Sequence, residues 1–230
     1  TSNSYIMCIY KTGDTISYAY SDMSTGEMNV NEYKGKNLEG YINDQIIRIM
    51  PSEIICNQEM FIFSPKLACS QGNEAYKFNT YYEWAFGFSN AEKAVLKQYN
   101  LKSTHGFDFS TNACVCVVGA LLQYFTETQK RDLHHIKLPN LIKDNQFMYL
   151  DTHTRRNLEI EQTMHEGTKH GSLLWVLDAT KTSGGARLLK NWVRQPLQNK
   201  TEIDARLNMV EVLVNNSLMR EGLADALCNI

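Results

Sequence analysis

The sequence predicts two domains of different class, a mixed α/β domain over residues 1–132 and an all-helical one over residues 133–230. Three observations carry this prediction. Between Tyr5 and Tyr33 apolar and polar residues alternate in three short runs, the period of a half-buried strand. From Val115 to Leu122 the chain is apolar on nearly every face of a helix, as in a helix packed between layers. Beyond Asp151 the apolar spacing is helical almost throughout, punctuated by cap residues and Pro196.

The elements follow in order. Tyr5 to Tyr10 is a β-rich run ended by Gly13 and Asp14, and Thr15 to Tyr20 and Met28 to Tyr33 are its neighbours across tight turns, an antiparallel meander. Asn37 caps a helix whose Leu38, Tyr41, Ile42, Ile46 and Ile49 share one side, and Pro51 stops it. Ser52 to Asn57 is a short buried strand, giving the order β-β-β-α-β. Gln58 to Phe88 reads as a long loop-rich segment, its aromatics without a clean period. Ser89 and Glu92 have capping-box spacing before a helix that runs to about Tyr99, and a longer helix lies between Ser110 and Lys130. Arg131, Asp132, the pair His134 and His135, and Pro139 break the pattern and mark the domain boundary. Asp151 or Thr152 caps a helix through Arg155 to Gln162, Ser172 a short one to Leu177, and Thr182 or Ser183 one that Pro196 ends. Thr201 starts a helix with Ile203, Leu207, Val210 and Val214 on one stripe, and Ser217 starts the last.

Composition narrows the function classes. No run approaches the roughly 18 apolar residues of a membrane span. The start, Thr1 to Ser4, shows no signal peptide and no initiator Met, and enters a strand at once, as a domain cut from a longer protein does. The six cysteines (Cys8, Cys56, Cys69, Cys114, Cys116, Cys228) never fall at C-x-x-C spacing, and several sit in apolar runs, so they read as reduced core thiols. Net charge is −3 over residues 1–130, +4 over 131–200 and −3 over 201–230. A surplus of that size is a solvated surface, not the concentrated basic face of a nucleic-acid binder.

No motif for chemistry assembles. The Gly-Lys pair Gly35 and Lys36 lacks the glycine and hydroxyl residue of a phosphate-binding loop. The β-β-β-α-β order resembles the ribonuclease-H-like fold, whose nucleases hold metal ions with carboxylates on the first and fourth strands. Here the first strand has no acid from Tyr5 to Tyr10, and the fourth offers Glu53 alone. His134, His135, His153, His165 and His170 lack the i, i+4 spacing of a helical zinc site and read as surface or cap residues. No Gly-x-Ser-x-Gly occurs.

The distinctive words are Leu150 and Asp151, then Thr154 through Ile160 (Thr-Arg-Arg-Asn-Leu-Glu-Ile), then Leu177 and Asp178. Thr182, Gly185 to Lys190, Trp192, Pro196 and Leu197 complete the set. In this order and spacing they resemble the opening of the core domain in the bacterial MutS family of DNA mismatch-repair proteins. Gly119 to Leu122 with Tyr124, Thr128 and Gln129 resembles the last helix of that family's connector domain, and the meander from Tyr5 to Tyr33 fits the same domain. In physical terms Arg155 and Arg156 begin a helix, a poor place for cations, and so require a carboxylate or a neighbouring domain. Asn157 and Leu158 continue the motif, Gly185 lets a helix start pack tightly, Arg187 forks onto carboxylates or carbonyls, Trp192 anchors its helix in the core, and Pro196 fixes the exit.

The resemblance implies a ribonuclease-H-like connector followed by the start of a helical core. It implies no catalysis and no cofactor in this chain, ATP and Mg belonging to another domain of a homodimeric parent that binds mismatched duplex DNA. It also implies coupling between the DNA-binding and ATPase ends, a bacterial cytoplasmic, nucleoid-associated location, and a docking face for a MutL-type protein. Glu92, Lys93, Ala94 and Lys97 are its candidates for that face. The alternatives are a ribonuclease-H-like nuclease and a scaffold piece of a MutS relative acting in recombination.

Overall fold

The computed structural model describes residues 5–66, 70–71, 74–107, 109, 111–129, 133–142, 147–148, 150 and 152–228. The expectations for Thr1 to Ser4, Cys69, Ser110, Lys130 to Asp132 and Asp151 fall outside them. The described residues group into two compact units, one within 4–143 and one within 144–230.

The first unit is an α/β layer structure around a six-stranded mixed sheet. Strands β1 (Tyr5–Thr12), β2 (Thr15–Asp22) and β3 (Glu27–Lys34) form the antiparallel meander. The turn between β1 and β2 is made at Gly13, whose φ of 56° lies where L side chains are strained. Helix α1 (Leu38–Ile49) is capped by Asn37, whose Oδ1 accepts from the Gly40 N–H at 3.0 Å, and β4 (Glu53–Cys56) returns parallel to β1.

Gln58 to Phe88 is more ordered than its composition predicts. It holds α2 (Gln58–Phe63), the two-residue pair β5 (Ser70–Gln71) and β6 (Glu74–Ala75), β7 (Phe78–Thr80) and a 3-10 turn at Glu83–Phe86. β7 pairs in parallel with β4, an edge that three residues suffice to cover. Then come α3 (Phe88–Tyr99), α4 (Asn112–Gln129) and β8 (Asn140–Leu141). The sheet order is β7-β4-β1-β2-β3-β8. Residues 133–142, placed by sequence beyond the boundary, stay with this unit, because β8 pairs with β3 at Asn29 and Val30.

The register explains how α4 packs. Ile55, Cys8, Ala19, Val30 and Leu141 are successive partners across five strands and so share one face. The small side chains of Cys8 and Ala19 let α4 settle close, and Val117, Val118, Leu121 and Phe125 complete a core from which water is excluded. Burial raises the Cys8, Cys56 and Cys116 thiols, Cys56 to about 12 and Cys116 to about 11, so they stay protonated and inert. The opposite face is covered by α1 through Ile42, Ile46 and Ile49, with the Tyr18 hydroxyl donating to Gln45 Oε1 at 3.0 Å.

The second unit is helical, with α5 (Thr152–Asn157), α6 (Leu173–Leu177), α7 (Ser183–Arg194), α8 (Lys200–Asn215) and α9 (Ser217–Cys228). Thr182 caps α7 and Ser172 caps α6, each accepting from a backbone N–H. α5 ends at Asn157 and not at Gln162, because Glu159 takes a left-handed φ of 49° and its Oε1 accepts from the Met164 N–H at 2.6 Å. On α8 the predicted stripe is open: Leu207, Val210 and Val214 are 58%, 56% and 64% exposed. No helix among the described residues is long and apolar enough to cross a membrane.

Candidate functional site

The candidate docking helix α3 is built by the turn before it, not by its own first residues. Gly87, in extended conformation, is the N-cap, and its carbonyl accepts from the Asn90 and Ala91 N–H groups at 3.0 and 2.9 Å. The Asn90 side chain donates back to the Trp84 carbonyl at 3.0 Å. The helix therefore begins at Phe88, Ser89 lies inside it, and the capping box expected of Ser89 and Glu92 does not form. Glu92 is half-buried and accepts from the Thr104 hydroxyl at 3.1 Å.

Ala91 and Val95 are buried against α4, where a Cβ on Gly119 would lie 2.4 Å from the Ala91 Cα. That crossing turns Lys93 and Lys97 outward, both exposed, and leaves Ala94 half-buried. Ala94 and Lys97 line a groove of about 400 Å3 with Trp84, Leu122, Leu133 and His134. Three of the four candidates, Lys93, Ala94 and Lys97, thus lie on the open side of α3, and Glu92 turns toward Thr104. Trp84, one of the aromatics expected to pack the loop-rich segment, is instead 52% exposed and stacks on Tyr82 with centroids 5.8 Å apart.

Glu53, the one acid on β1 or β4, is occupied. The Tyr124 hydroxyl donates to it at 2.7 Å, and burial together with that carboxylate pushes the Tyr124 phenol up to about 12. No group of three His, Cys, Asp or Glu side chains able to hold a metal ion occurs among the described residues.

In the second unit the singled-out residues stand in different settings, and contacts are described for Gly185, Trp192 and Pro196. Arg155 and Arg156 sit in the last turn of α5, where cations suit the helix dipole, so the expectation that they begin a helix is corrected. Arg155 is half-buried, and Arg156, Asn157 and Leu158 are exposed. The Gly185 N–H donates to Thr182 Oγ1 at 2.9 Å, and an added Cβ there would meet that oxygen at 3.1 Å. Arg187 is half-buried on α7. Trp192 is 40% exposed with the Arg206 guanidinium 3.8 Å from its ring centroid, a surface cation–π pair and not a core anchor, because α8 brings Arg206 over the indole. Pro196 follows the end of α7, and its carbonyl accepts from the Met148 N–H at 2.7 Å beside the Phe147–Leu197 bridge. Glu161, unnoticed in the sequence, takes a forked contact from Arg194 and a second cation, Lys190, at 3.5 Å.

Asp178 accepts from Lys169 Nζ at 2.6 Å and from the Thr180 hydroxyl and N–H, and these bonds pull its carboxyl down to about 2. The folded value lies below the unfolded one near 3.8, so this contribution is full above the unfolded value and is lost as pH falls through about 2. A carboxyl-detected NMR titration is expected to place the Asp178 midpoint near 2 and to move it up in Lys169→Met; a midpoint near 4 in the unsubstituted protein contradicts the geometry.

The fold defines a protein of two units, the first α/β and the second helical. The matched families give it a lineage. Residues 4–137 match MutS domain II and residues 153–230 match MutS domain III. No ATPase domain is among the matched families. The chain belongs to the MutS family. It is 38% identical over 224 residues to the DNA mismatch repair protein MutS of Ruminiclostridium cellulolyticum, covering 95% of this chain and 25% of that protein. It is 36% identical to the protein of the same name from Clostridium tetani over 100% of this chain and 25% of that protein. With that from Alkaliphilus oremlandii it shares 34% over 99% of this chain and 26% of the relative. The chain thus spans about a quarter of the length of the curated relatives it matches.

Proposed function

We propose that this chain is the connector and the opening of the core of a bacterial DNA mismatch-repair protein, which couples a DNA-binding end to an ATPase end. The observation that carries this is similarity across nearly the whole chain to proteins named for mismatch repair. In this reading the parent is a homodimeric, cytoplasmic and nucleoid-associated protein that binds mismatched duplex DNA and uses ATP and Mg through domains other than these two. The order β3-β2-β1-β4-β7, antiparallel through β1 and parallel beyond it, supports a ribonuclease-H-like connector. Fold likeness does not carry nuclease chemistry with it, since Glu53 is held by Tyr124.

The open side of α3 is the docking face for a MutL-type partner, with Lys93 and Lys97 as its charged rim and Ala94 on its floor. Charge reversal at both lysines, Lys93→Glu with Lys97→Glu, is expected to lower MutL recruitment to mismatched DNA at least tenfold in a pull-down with the full-length protein. Mismatch binding should stay unchanged. Recruitment equal to the unsubstituted protein would remove α3 from the reading.

A further inference from the structure

After α4 the chain does not leave the first unit at once. Residues 133–142 run back along it and are clipped to three separate elements. On α3, Gln98 Nε2 donates to the Leu133 carbonyl at 2.8 Å and the Tyr99 hydroxyl to the Lys137 carbonyl at 2.9 Å. At the turn between β2 and β3, His135 Nε2 lies 2.9 Å from the Met23 carbonyl oxygen, and the Lys137 N–H donates to the Gly26 carbonyl at 2.7 Å. At the edge of β3, Asn140 and Leu141 pair with Asn29 and Val30, and the Ile142 N–H donates to the Val30 carbonyl at 2.9 Å. Leu133, Ile136 and Ile142 are buried beneath this path.

We propose that residues 133–142 form a strap that opens and closes on the sheet as a cooperative unit of its own, with Gly26 as its seat. Two features make it separable. β3 holds eight register partners on β2 and only two on β8, so the meander keeps its ladder when the strap lifts. The seat is a close backbone approach: Gly26 has a φ of 67°, and a Cβ built on it would lie 2.0 Å from the His135 carbonyl oxygen, a position no side chain can share. The strap also has a consequence for the groove. Leu133 and His134 line it together with Trp84, Ala94 and Lys97, so an open strap removes part of the groove beside the face that the docking reading uses.

Hydrogen exchange of the 230-residue chain tests this. In the unsubstituted chain the Lys137 and Ile142 amides are expected to open at denaturant concentrations where the β1 and β2 amides are still protected. Gly26→Ala should speed exchange at Lys137 and Ile142 at least tenfold and leave β1, β2 and β4 unchanged. Tyr99→Phe, which removes one clip and adds no bulk, should act in the same direction by about threefold and carries the test if Gly26→Ala does not fold. Uniform loss of protection across strap and sheet, or no change in either variant, would overturn the strap. The groove consequence rests on the docking reading. MutL recruitment by full-length Gly26→Ala that stays unchanged while strap exchange rises overturns that link and leaves the strap itself standing.

Discussion

Gly119→Ala is expected to destabilise the first unit by about 2–4 kcal/mol, although alanine is the better helix former by roughly 1 kcal/mol. The added methyl would stand 2.4 Å from the Ala91 Cα and 2.5 Å from both its Cβ and its carbonyl oxygen. Two of those three atoms are backbone, so no rotamer change relieves the clash, and α3 must back away from α4. Ala91 and Val95, both fully buried, would then lose contact with α4, and the cost of loosened packing joins that of the clash. Gly222→Ala on α9 is the control. A methyl added there would meet nothing within 4 Å, so helix propensity acts alone and the change should be neutral or stabilising by up to about 1 kcal/mol. Urea unfolding followed by far-UV circular dichroism reads both. Equal effects of the two substitutions would show that the crossing is looser than described. Because α3 carries Lys93 and Lys97, Gly119→Ala should also weaken MutL recruitment on the docking reading.

Much of this fold is legible in the residues alone. The meander from Tyr5 to Tyr33 declares itself because period-two alternation and Gly-bearing turns agree, and the observed register runs without a slip. Asn37, Ser172 and Thr182 are readable as caps because a short polar side chain before an apolar run has few other uses. What escapes the sequence is governed by neighbours distant along the chain. β7 is a strand only because β4 offers it an edge, and three residues leave no period to detect. Ser89 and Glu92 have the right spacing for a capping box, but the turn through Trp84 and Gly87 already supplies the cap. Arg155 and Arg156 read as a helix start because the stop at Glu159, a left-handed residue that is neither Gly nor Asn, carries no composition signal. For the candidate site, the spacing reveals only the helix, and the residues proposed for its outward face come from the family resemblance. The face that Gly119 buries is hidden by a helix apolar all round, where the lone glycine is the one clue.

Asn57→Ala is the second change expected to cost most, about 3 kcal/mol, and it tests how a single amide ties β1 to β4 and α2. Its Oδ1 accepts from the Lys11 N–H at 3.0 Å and from the Met60 N–H at 3.3 Å, and its Nδ2 donates to the Lys11 carbonyl at 2.9 Å. The side chain thus extends the parallel pairing past the end of β4 and caps α2 with the same oxygen. Asn57 is 4% exposed, so water does not replace these bonds when the amide is removed. Losing the cap costs about 1 kcal/mol, and the stranded Lys11 backbone groups cost roughly 1–3 kcal/mol more. Lys11 itself would loosen, since its ammonium is positioned to donate to the Gly13 carbonyl and to Glu59, each at 2.7 Å, over the Phe63 ring. Asn57→Ser separates the two roles. A serine hydroxyl can still cap Met60 but cannot reach both Lys11 groups, so it should recover about 1 kcal/mol of the loss and no more. In hydrogen exchange the Lys11 amide should lose protection in both variants, and the Met60 amide in the alanine variant alone. Full recovery by serine would mean that the amide acts as a helix cap, and that the bond to β1 contributes nothing measurable.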